Sequence, residues 1–382
     1  MSEWKKVKLG EICERVTSGG TPKANVSSYY NPPTIPWLKT KEVNYCRITE
    51  TENYISEEGL KNSSAKLISP NSVIIAMYGQ GDTAGRIAIN KIPLATNQAC
   101  CNLTIDKSKA DYEFIYYQLC TLYDKLVSLK AGAAQPNLNA RIIKNLEIIM
   151  PSLPIQHRIA SILSRYDSLI ENYQKQIKLL EEAAQRLYKE WFVDLHFPGH
   201  ENTNIIDGVP EGWEKKKVGD ITPIITGKKD ANFGTPDGEY PFFTCSQEPI
   251  KAPSFSFDCA AVLLAGNGDF NVKLYRGRFE AYQRTYVLSP YIDSHLYLLF
   301  YTISANMTKL AAGSSGSTIK FLTKGMIDGI NLNVPNDEIL RSFNKKVEPI
   351  QSSRESLQSQ LRLLTEARDR LLPKLMSGAI EV

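Results

Sequence analysis

The histidines are the first residues to consider for chemistry, because two of them have the spacing of a metal-binding pair. His196 and His200 lie four residues apart, and on a helix that spacing would direct both rings at one metal ion. Pro198 and Gly199 stand between them and are incompatible with a continuous helix. The other two histidines are isolated in the sequence, so we predict no metal site.

A second segment has part of the pattern of a catalytic site. Asn31-Pro32-Pro33-Thr34 is similar to the Asn-Pro-Pro-aromatic motif of adenine N6-methyltransferases, in which the aromatic ring stacks on a flipped base. Threonine cannot stack on a base, and the 30 residues before Asn31 contain no Gly-rich methyl-donor loop after a strand. A methyltransferase acting through Asn31, Pro32 and Pro33 therefore remains only as an alternative.

Phosphate-binding and nuclease patterns are incomplete as well. The loop from Gly79 to Gly85 lacks both the glycine spacing and the Gly-Lys-Ser/Thr sequence of a phosphate loop. Pro236-Asp237 could begin a Pro-Asp…(Asp/Glu)-x-Lys nuclease site, but no later lysine has an acid two residues before it. We therefore predict no catalytic residues, and a protein that binds and positions other molecules rather than an enzyme.

Polar loops follow apolar segments in both halves of the chain. Residues 73–76 lead into the loop 79–86, and residues 262–265 lead into the loop 266–269. These loops and the polar segments downstream of them are rich in Gln, Asn, Arg, Ser and Gly, which are suited to reading base edges and holding phosphates. Any one of these residues could equally be part of a solvated turn, so the set of loops is more informative than its members.

The chain contains an internal duplication, which must position these loops. At an offset of 209 residues, Trp4, Lys8, Leu9, Gly10, Glu11 and Ile12 correspond to Trp213, Lys217, Val218, Gly219, Asp220 and Ile221. At an offset of 184, Leu179, Leu180, Glu182, Ala183, Arg186 and Leu187 correspond to Leu363, Leu364, Glu366, Ala367, Arg370 and Leu371. A period this long is not that of a solenoid, so each half is predicted to be one globular unit followed by one helical unit.

Apolar residues recur every seven positions in each helical unit, which favours two long helices that pack on one another over ordinary core helices. Each helix is predicted to run about 35 to 40 residues, roughly 50 to 60 Å, from Pro154 or Asn336. A two-fold relation between the halves would make the helices antiparallel and bring the C-terminus near Trp4. The predicted seams are Ile159, Tyr166, Tyr173, Leu180 and Leu187 in the first helix, and Phe343, Ile350, Leu357, Leu364 and Leu371 in the second.

Composition is that of an ordinary globular protein, with 42% hydrophobic and 23% charged residues. No run of about 18 apolar residues suggests a membrane span, and the seven cysteines have no paired spacing, so a cytoplasmic location is expected. The net charge of +4 neither establishes nor excludes DNA as a partner, because a basic stripe can be offset by acids elsewhere.

Several segments in a fixed order resemble the specificity (S) subunits of type I restriction-modification systems. No one segment is specific, but together they cover both halves and every junction. They are Ile35-Pro36-Trp37-Leu38-Lys39-Thr40, Gln135-Pro136-Asn137-Leu138-Asn139, Leu153-Pro154-Ile155-Gln156-His157-Arg158-Ile159-Ala160, Trp191-Phe192-Val193-Asp194, Val209-Pro210-Glu211-Gly212-Trp213-Glu214 and Leu371-Leu372-Pro373-Lys374-Leu375-Met376-Ser377-Gly378.

The resemblance implies an α+β fold in which two mixed α/β target-recognition domains are joined by two long helices that form an antiparallel coiled coil. On this basis we expect recognition domain 1 at 1–150, the central helix at 151–197, a linker at 198–209, recognition domain 2 at 210–335 and the distal helix at 336–382. Each recognition domain would read one half of a bipartite, asymmetric double-stranded DNA site, and the helices would fix the spacer.

The resemblance also implies partners. Two methyltransferase subunits would dock on the helices, and two translocase-nuclease subunits would complete a phage-defence enzyme. S-adenosylmethionine, ATP and magnesium are expected on those subunits, with no cofactor and no catalysis in this chain.

Within this interpretation we predict DNA contacts from the polar and basic residues of both loop sets. The second half has no counterpart of residues 35–40 or of Gln135-Pro136-Asn137, so its base-reading residues cannot be transferred by motif. The predicted residues are Lys39, Lys41, Arg86, Gln98, Gln135, Asn137 and Arg141 in the first half, and Lys228, Lys229, Asn267, Lys273, Arg276, Gln283, Arg284 and Lys320 in the second.

Two further alternatives stay open beside the methyltransferase. One is the recognition subunit of a related system whose partner polypeptide fuses methyltransferase and nuclease, which the neighbouring genes would distinguish. The other is a protein-only scaffold built on the coiled coil, which would not bind DNA even with its partners present.

Overall fold

The computed structural model describes residues 4–130, 137–314 and 320–382. It divides into two compact units, one formed by residues 1–172 and 360–382, the other by residues 173–359. The globular part of the first unit, up to residue 150, is termed head 1. The globular part of the second, residues 213–334, is termed head 2.

Head 1 is built from short strands and short helices. Its strands are β1 (Lys5–Lys8), β2 (Cys13–Ser18), β3 (Ile35–Leu38), β4 (Cys46–Ile48), β5 (Tyr54–Ile55), β6 (Leu67–Ile68), β7 (Val73–Ala76), β8 (Ile87–Asn90), β9 (Leu94–Thr96), β10 (Cys100–Ile105) and β11 (Glu147–Met150). Its helices are α1 (Glu57–Lys61), α2 (Tyr112–Cys120), α3 (Tyr123–Ser128) and α4 (Ala140–Lys144). One sheet has the order β2-β10-β7-β8-β4, a second has the order β5-β3-β9-β6, and β1 pairs with β11.

The five-stranded sheet of head 1 is covered on both faces. Successive residues of a strand point to opposite faces, and β7 follows this rule: Ile75 packs in one apolar cluster with Phe114 of α2, whereas Ile74 packs in another with Leu38. Burial on both faces explains why β7 and β8 are apolar along most of their length. The sheet therefore holds the loops at the ends of β7 and β10 in fixed positions.

The helix that follows head 1 is α5 (Leu153–Tyr188), which continues into a π-helical turn at Lys189–Val193. Its 36 residues confirm the long helix that the heptad pattern predicts. Its first half lies in the first compact unit and its second half in the second.

Head 2 begins after a small hairpin of β12 (Ile205–Ile206) and β13 (Val209–Pro210). Its strands are β14 (Glu214–Lys217), β15 (Ile225–Thr226), β16 (Tyr240–Phe243), β17 (Ile250–Ala252), β18 (Phe257–Ala265), β19 (Val272–Ala281), β20 (Thr285–Leu288) and β21 (Asn331–Val334). Its helices are α6 (Val218–Ile221), α7 (Leu296–Gly313) and α8 (Lys324–Asp328). Six strands form one sheet in the order β15-β20-β18-β19-β16-β17, and β14 pairs with β21.

The last helix is α9 (Asp337–Met376), with 40 residues. In the first unit Asp167 of α5 pairs with Arg368 of α9 at 2.9 Å, and in the second unit Glu181 pairs with Arg354 at 3.3 Å. Also in the second unit, the ring of Trp191, just after α5, lies 5.9 Å from the ring of Phe343 on α9. Within this unit the partners on α9 therefore have lower numbers as the numbers on α5 rise, so the two helices run antiparallel, as the duplication predicts.

The predicted apolar seams face inward along both helices. Ile159 and Phe343 are fully buried. The other seam residues are partly buried, while most positions between them are exposed. These partly buried residues are Tyr166, Tyr173, Leu180, Leu187, Ile350, Leu357, Leu364 and Leu371.

The first segment of the duplication makes the same backbone contact in both heads. The N–H of Leu9 donates to the carbonyl of Leu146 in head 1 (2.9 Å), and the N–H of Val218 donates to the carbonyl of Ile330 in head 2 (2.9 Å). Each segment follows a strand that pairs with the last strand of its head, β1 with β11 and β14 with β21. Both copies thus close their head in the same way.

The C-terminal segment lies beside Trp4, as expected. A Cβ atom built on Gly378 would be 3.2 Å from the Trp4 ring, and Gly378 has a φ of 73°, so a larger residue would be strained there. None of the helices in the described ranges combines the length and apolar character that a membrane span would need.

Candidate nucleic-acid interface

The loops of head 1 meet at one edge of its five-stranded sheet. The N–H of Met77, after β7, donates to the carbonyl of Ala99, before β10 (2.7 Å), and the N–H of Leu138 donates to the carbonyl of Met77 (3.0 Å). The N–H of Gly19, after β2, donates to the carbonyl of Cys100 (3.3 Å). Backbone hydrogen bonds therefore hold four segments together, and we term this surface the loop edge of head 1.

The predicted DNA-binding residues at this edge differ in the bonds that their side chains already make within the protein. Gln98 is exposed, and its side-chain oxygen accepts a hydrogen bond from the Thr21 hydroxyl. Arg86 is paired with Asp82 at 2.5 Å, and this contact raises the pKa of Arg86 and lowers that of Asp82. Arg86 would thus have to exchange a carboxylate for a phosphate or a base.

The remaining predicted residues of head 1 lie nearby or on its helices. Lys39 donates to the side chain of Asn53 (2.9 Å) and lies 5.1 Å from the centre of the Trp37 ring. Lys41 is ion-paired with Glu52. Three predicted residues remain: Asn137 is partly buried beside Leu138, Arg141 is exposed on α4, and Gln135 lies outside the described residues.

Head 2 has a corresponding loop edge. The N–H of Gly266, after β18, donates to the carbonyl of Arg284 (2.8 Å), and the N–H of Leu322 donates to the carbonyl of Gly266 (2.8 Å). The N–H of Gly227, after β15, donates to the carbonyl of Thr285 (3.2 Å). The edge encloses an open cavity of about 330 Å³ lined by Thr226, Gly266, Gln283, Arg284, Tyr286, Phe321 and Leu322.

Most predicted residues of head 2 lie at or beside this cavity. Gln283 and Arg284 are exposed in its wall, and the Gln283 amide donates to Asp230 (3.2 Å). Asn267 forms a β-bridge with Phe321. The lysines nearby are Lys228 and Lys320, both exposed, and Lys229, which lies 4.3 Å from the centre of the Phe233 ring.

Lys273 and Arg276 occupy a different part of head 2, on β19. Lys273 donates to the carbonyl of Ser246 (2.8 Å), and burial lowers its pKa. Arg276 lies 5.1 Å from the centre of the Tyr297 ring and 3.6 Å from the carboxylate of Glu348 on α9. The structure gives both side chains partners within the protein, so their predicted DNA contacts are not supported by the loop geometry and stay predictions.

The segments that the sequence suggested for catalysis or metal binding make contacts within the protein. Tyr30, just before Asn31, donates its hydroxyl to the carbonyl of Pro22 (2.7 Å) and packs edge-on against Trp37. His200 is bonded to the carbonyl of Phe197 (2.8 Å). Across the part of the chain that the structure describes, no group of three or more His, Cys, Asp or Glu side chains could hold a metal ion.

Sequence reasoning missed three residues that line the cavity of head 2: Thr226, Tyr286 and Phe321. Phe321 is 38% exposed. The only sequence signal was its place next to the polar segment that precedes it.

The whole chain is similar to proteins of one class. The MjaIX type I restriction enzyme specificity subunit of Methanocaldococcus jannaschii is 27% identical over an alignment 416 positions long, which covers 100% of this chain and 94% of that protein. The EcoDI type I restriction enzyme specificity subunit of Escherichia coli is 35% identical over 176 residues, 45% of this chain and 39% of that protein.

The fold is shared with a solved structure and both halves match one family. The crystal structure of a type I restriction-modification system S subunit from M. genitalium aligns with a TM-score of 0.69 at 17% identity, covering 98% of this chain and 96% of that one. A sequence model of the family described as the type I restriction modification DNA specificity domain matches residues 1–182 and 210–353. The chain therefore belongs to the family of type I restriction-modification specificity subunits and carries the family's DNA specificity domain twice.

Proposed function

We propose that each head reads one half of a bipartite, asymmetric DNA site through its loop edge. The observation that carries the proposal is that one set of backbone hydrogen bonds is built twice, each time surrounding exposed Gln, Arg or Lys side chains. Arginine and lysine pair with guanine or phosphate, and glutamine pairs with adenine. The antiparallel helices would fix the spacer between the two half-sites.

The helices are proposed to dock the partner subunits. An exposed residue is free to vary unless something binds it, yet the duplication preserves exposed positions as well as seam positions. Leu179 and Leu363 are the same residue in the two copies and are 53% and 54% exposed. Further preserved pairs that are exposed in both copies include Glu171 with Glu355, Glu182 with Glu366 and Arg186 with Arg370.

Two equivalent surfaces suit two copies of one partner. We assign them to methyltransferase subunits, with two translocase-nuclease subunits completing the assembly. S-adenosylmethionine, ATP and magnesium would act on those subunits, and this chain would supply recognition without catalysis.

The test is single-molecule methylome sequencing of a methylation-free host that expresses this chain with and without the neighbouring methyltransferase gene. Methylation of a split motif with unlike halves and a fixed spacer, only when both genes are present, is the expected result. Methylation by this chain alone would contradict the non-catalytic role. No methylation with the partner present would contradict DNA reading and favour a scaffold.

A further inference from the structure

Matched hydrogen bonds align the two loop edges residue by residue, although their sequences differ. The bond from Met77 to Ala99 in head 1 corresponds to the bond from Gly266 to Arg284 in head 2. A Cβ on Gly266 would lie 2.5 Å from the Arg284 carbonyl oxygen and 3.0 Å from the Tyr286 ring, so glycine permits this close approach. The alignment places Arg284 of head 2 where head 1 has Ala99.

The second matched bond aligns another pair. Leu138 donates to Met77 in head 1, and Leu322 donates to Gly266 in head 2. The residue directly before each leucine is therefore at the same place in the two edges: Asn137 in head 1 and Phe321 in head 2. The sequence alone did not reveal this correspondence, because the segment around Asn137 has no recognisable counterpart in the second half.

Arg284 and Phe321 lie in the wall of the same cavity. Arg284 is exposed, and among the described residues its guanidinium has no hydrogen-bond or ion-pair partner, in contrast to Arg276 and Arg278, which are paired with Glu348 and Asp258. An exposed guanidinium can donate two hydrogen bonds to the O6 and N7 atoms of guanine, and an exposed phenyl ring can contact the methyl group of thymine.

We infer that Arg284 and Phe321 determine the half-site of head 2, Arg284 by reading a guanine and Phe321 by contacting a thymine methyl group. Ala99 and Asn137 hold the corresponding places in head 1, so one backbone framework reads two different half-sites. The inference rests on the proposed DNA-reading function and adds the residues and base types for one half of the site.

The experiment is methylome sequencing of the host that expresses the methyltransferase gene with Arg284→Ala, Arg284→Lys or Phe321→Ala. Discrimination at one G·C pair should fall about 5- to 150-fold in both Arg284 variants, because lysine keeps the charge but loses the bidentate geometry. Phe321→Ala should relax an A·T pair of the same half-site. The other half-site should not change, and methylation of the relaxed motif would itself show that the variants fold.

Arg278→Ala is the matched control, since it removes an exposed arginine from the same head and should leave the motif unchanged. A phosphate contact at Arg284 would instead give a uniform loss of methylation in Arg284→Ala and the wild-type motif in Arg284→Lys, and would overturn the inference. Wild-type motifs in both Arg284→Lys and Phe321→Ala would overturn it as well. A wild-type chain that directs no bipartite methylation would overturn the proposed function itself.

Discussion

Gln98 is the exposed amide of head 1 that is best placed to read a base. It lies at the loop edge, and among the described residues its side chain has one hydrogen bond, from the exposed hydroxyl of Thr21, so DNA could displace that bond at little cost. Gln98→Ala should weaken binding by about 1 to 3 kcal/mol and relax one position of one half-site. The change is measured by DNA binding of the assembled complex to sites that vary at each position.

The control for this prediction is Asn62→Ala, which removes another exposed amide of head 1. Asn62 follows α1, and its side chain donates to the carbonyl of Glu58 (3.1 Å). It should leave the specificity unchanged. If Gln98→Ala discriminates between bases at every position of the site as strongly as the wild type does, the amide does not read a base.

At the level of residues, the sequence could indicate what kind of interface the loops form more readily than which residues belong to it. Gln283 and Arg284 were predicted because polar residues beside glycine loops suggest base contacts, and the structure places both in the cavity wall. Phe321 lies in the same wall but was not predicted, because an apolar residue carries no such signal. Arg276 was predicted as one of the basic residues, and its side chain packs on Tyr297. Which strand face a side chain occupies depends on the sheet register, and the loop segments do not determine that register.

At the level of elements, each head is fixed to a long helix by a buried tyrosine. Tyr117 of α2 donates to Asp167 of α5 (2.6 Å), and Asp167 also accepts from Arg368 of α9 (2.9 Å). Tyr301 of α7 accepts a hydrogen bond from Gln351 of α9 in the second unit. Both pairs are related by the offset of 184 residues, so the duplication preserved the attachment of head to helix.

Removal of the shared carboxylate should loosen this attachment in the first unit. Asp167→Ala leaves the buried Tyr117 hydroxyl without its acceptor and leaves Arg368 with its other ion pair, to Asp369. The cost should be about 3 kcal/mol, the lower end of the range for a broken buried pair, since Arg368 keeps this partner and stays partly hydrated. Hydrogen exchange of the backbone amides of α2 and of the first half of α5 should become faster by the factor that corresponds to this loss of free energy.

Asp124→Ala serves as the comparison, because Asp124 is an exposed acid on α3 and such changes are usually within about 0.5 kcal/mol. Unchanged protection of α2 in Asp167→Ala would show that the apolar cluster alone holds head 1 on the helix.

His295, at the start of α7, makes the stability of the second unit depend on pH. Burial, and then the charge of Lys216, lower the pKa of His295 below its usual value of 6.5, with a smaller opposing effect from Asp337. As the pH falls below about 6.5, His295 binds a proton in the unfolded chain but not yet in the folded chain. Its contribution to the free energy of unfolding is therefore fully present above this pH and decreases as the pH falls towards the lower pKa of the folded state.

Thermal unfolding followed by circular dichroism at pH 7.5 and pH 5.5 tests this dependence. The transition of the second unit should move to lower temperature at pH 5.5, and His295→Gln should reduce that shift. His196→Gln, at an exposed position, should keep it. A shift of the same size in His295→Gln would assign the effect to other groups.

The sequence predicted the long elements well and the short ones poorly. A heptad pattern sustained over α5 and α9 is a strong signal, because each turn repeats the same apolar face. Strands such as β5 and β15 have only two residues, which is too short for any alternation to be recognised. Their pairing depends on partners that are distant in the chain.

At the level of the whole molecule, the duplication separates what must stay equal from what must differ. The closing segments of the heads, the tyrosine attachments and several exposed residues of the helices are kept, whereas the loop edges differ, with Ala99 and Asn137 in one head and Arg284 and Phe321 in the other. Equal helical surfaces suit identical partners, and unlike loop edges suit the unlike halves of an asymmetric site.

The equality of the helical surfaces leads to a prediction about stoichiometry. If one methyltransferase subunit docks at Leu179 and another at Leu363, native mass spectrometry should show two copies on the wild-type chain, one copy on Leu179→Glu or Leu363→Glu, and none on the double variant. A buried carboxylate without a partner opposes docking strongly. Leu169→Glu is the control, because Leu169 is also exposed (43%) but corresponds to Ser353 in the other copy, and it should keep both copies. Loss of both copies in a single variant would mean that the two surfaces do not act independently.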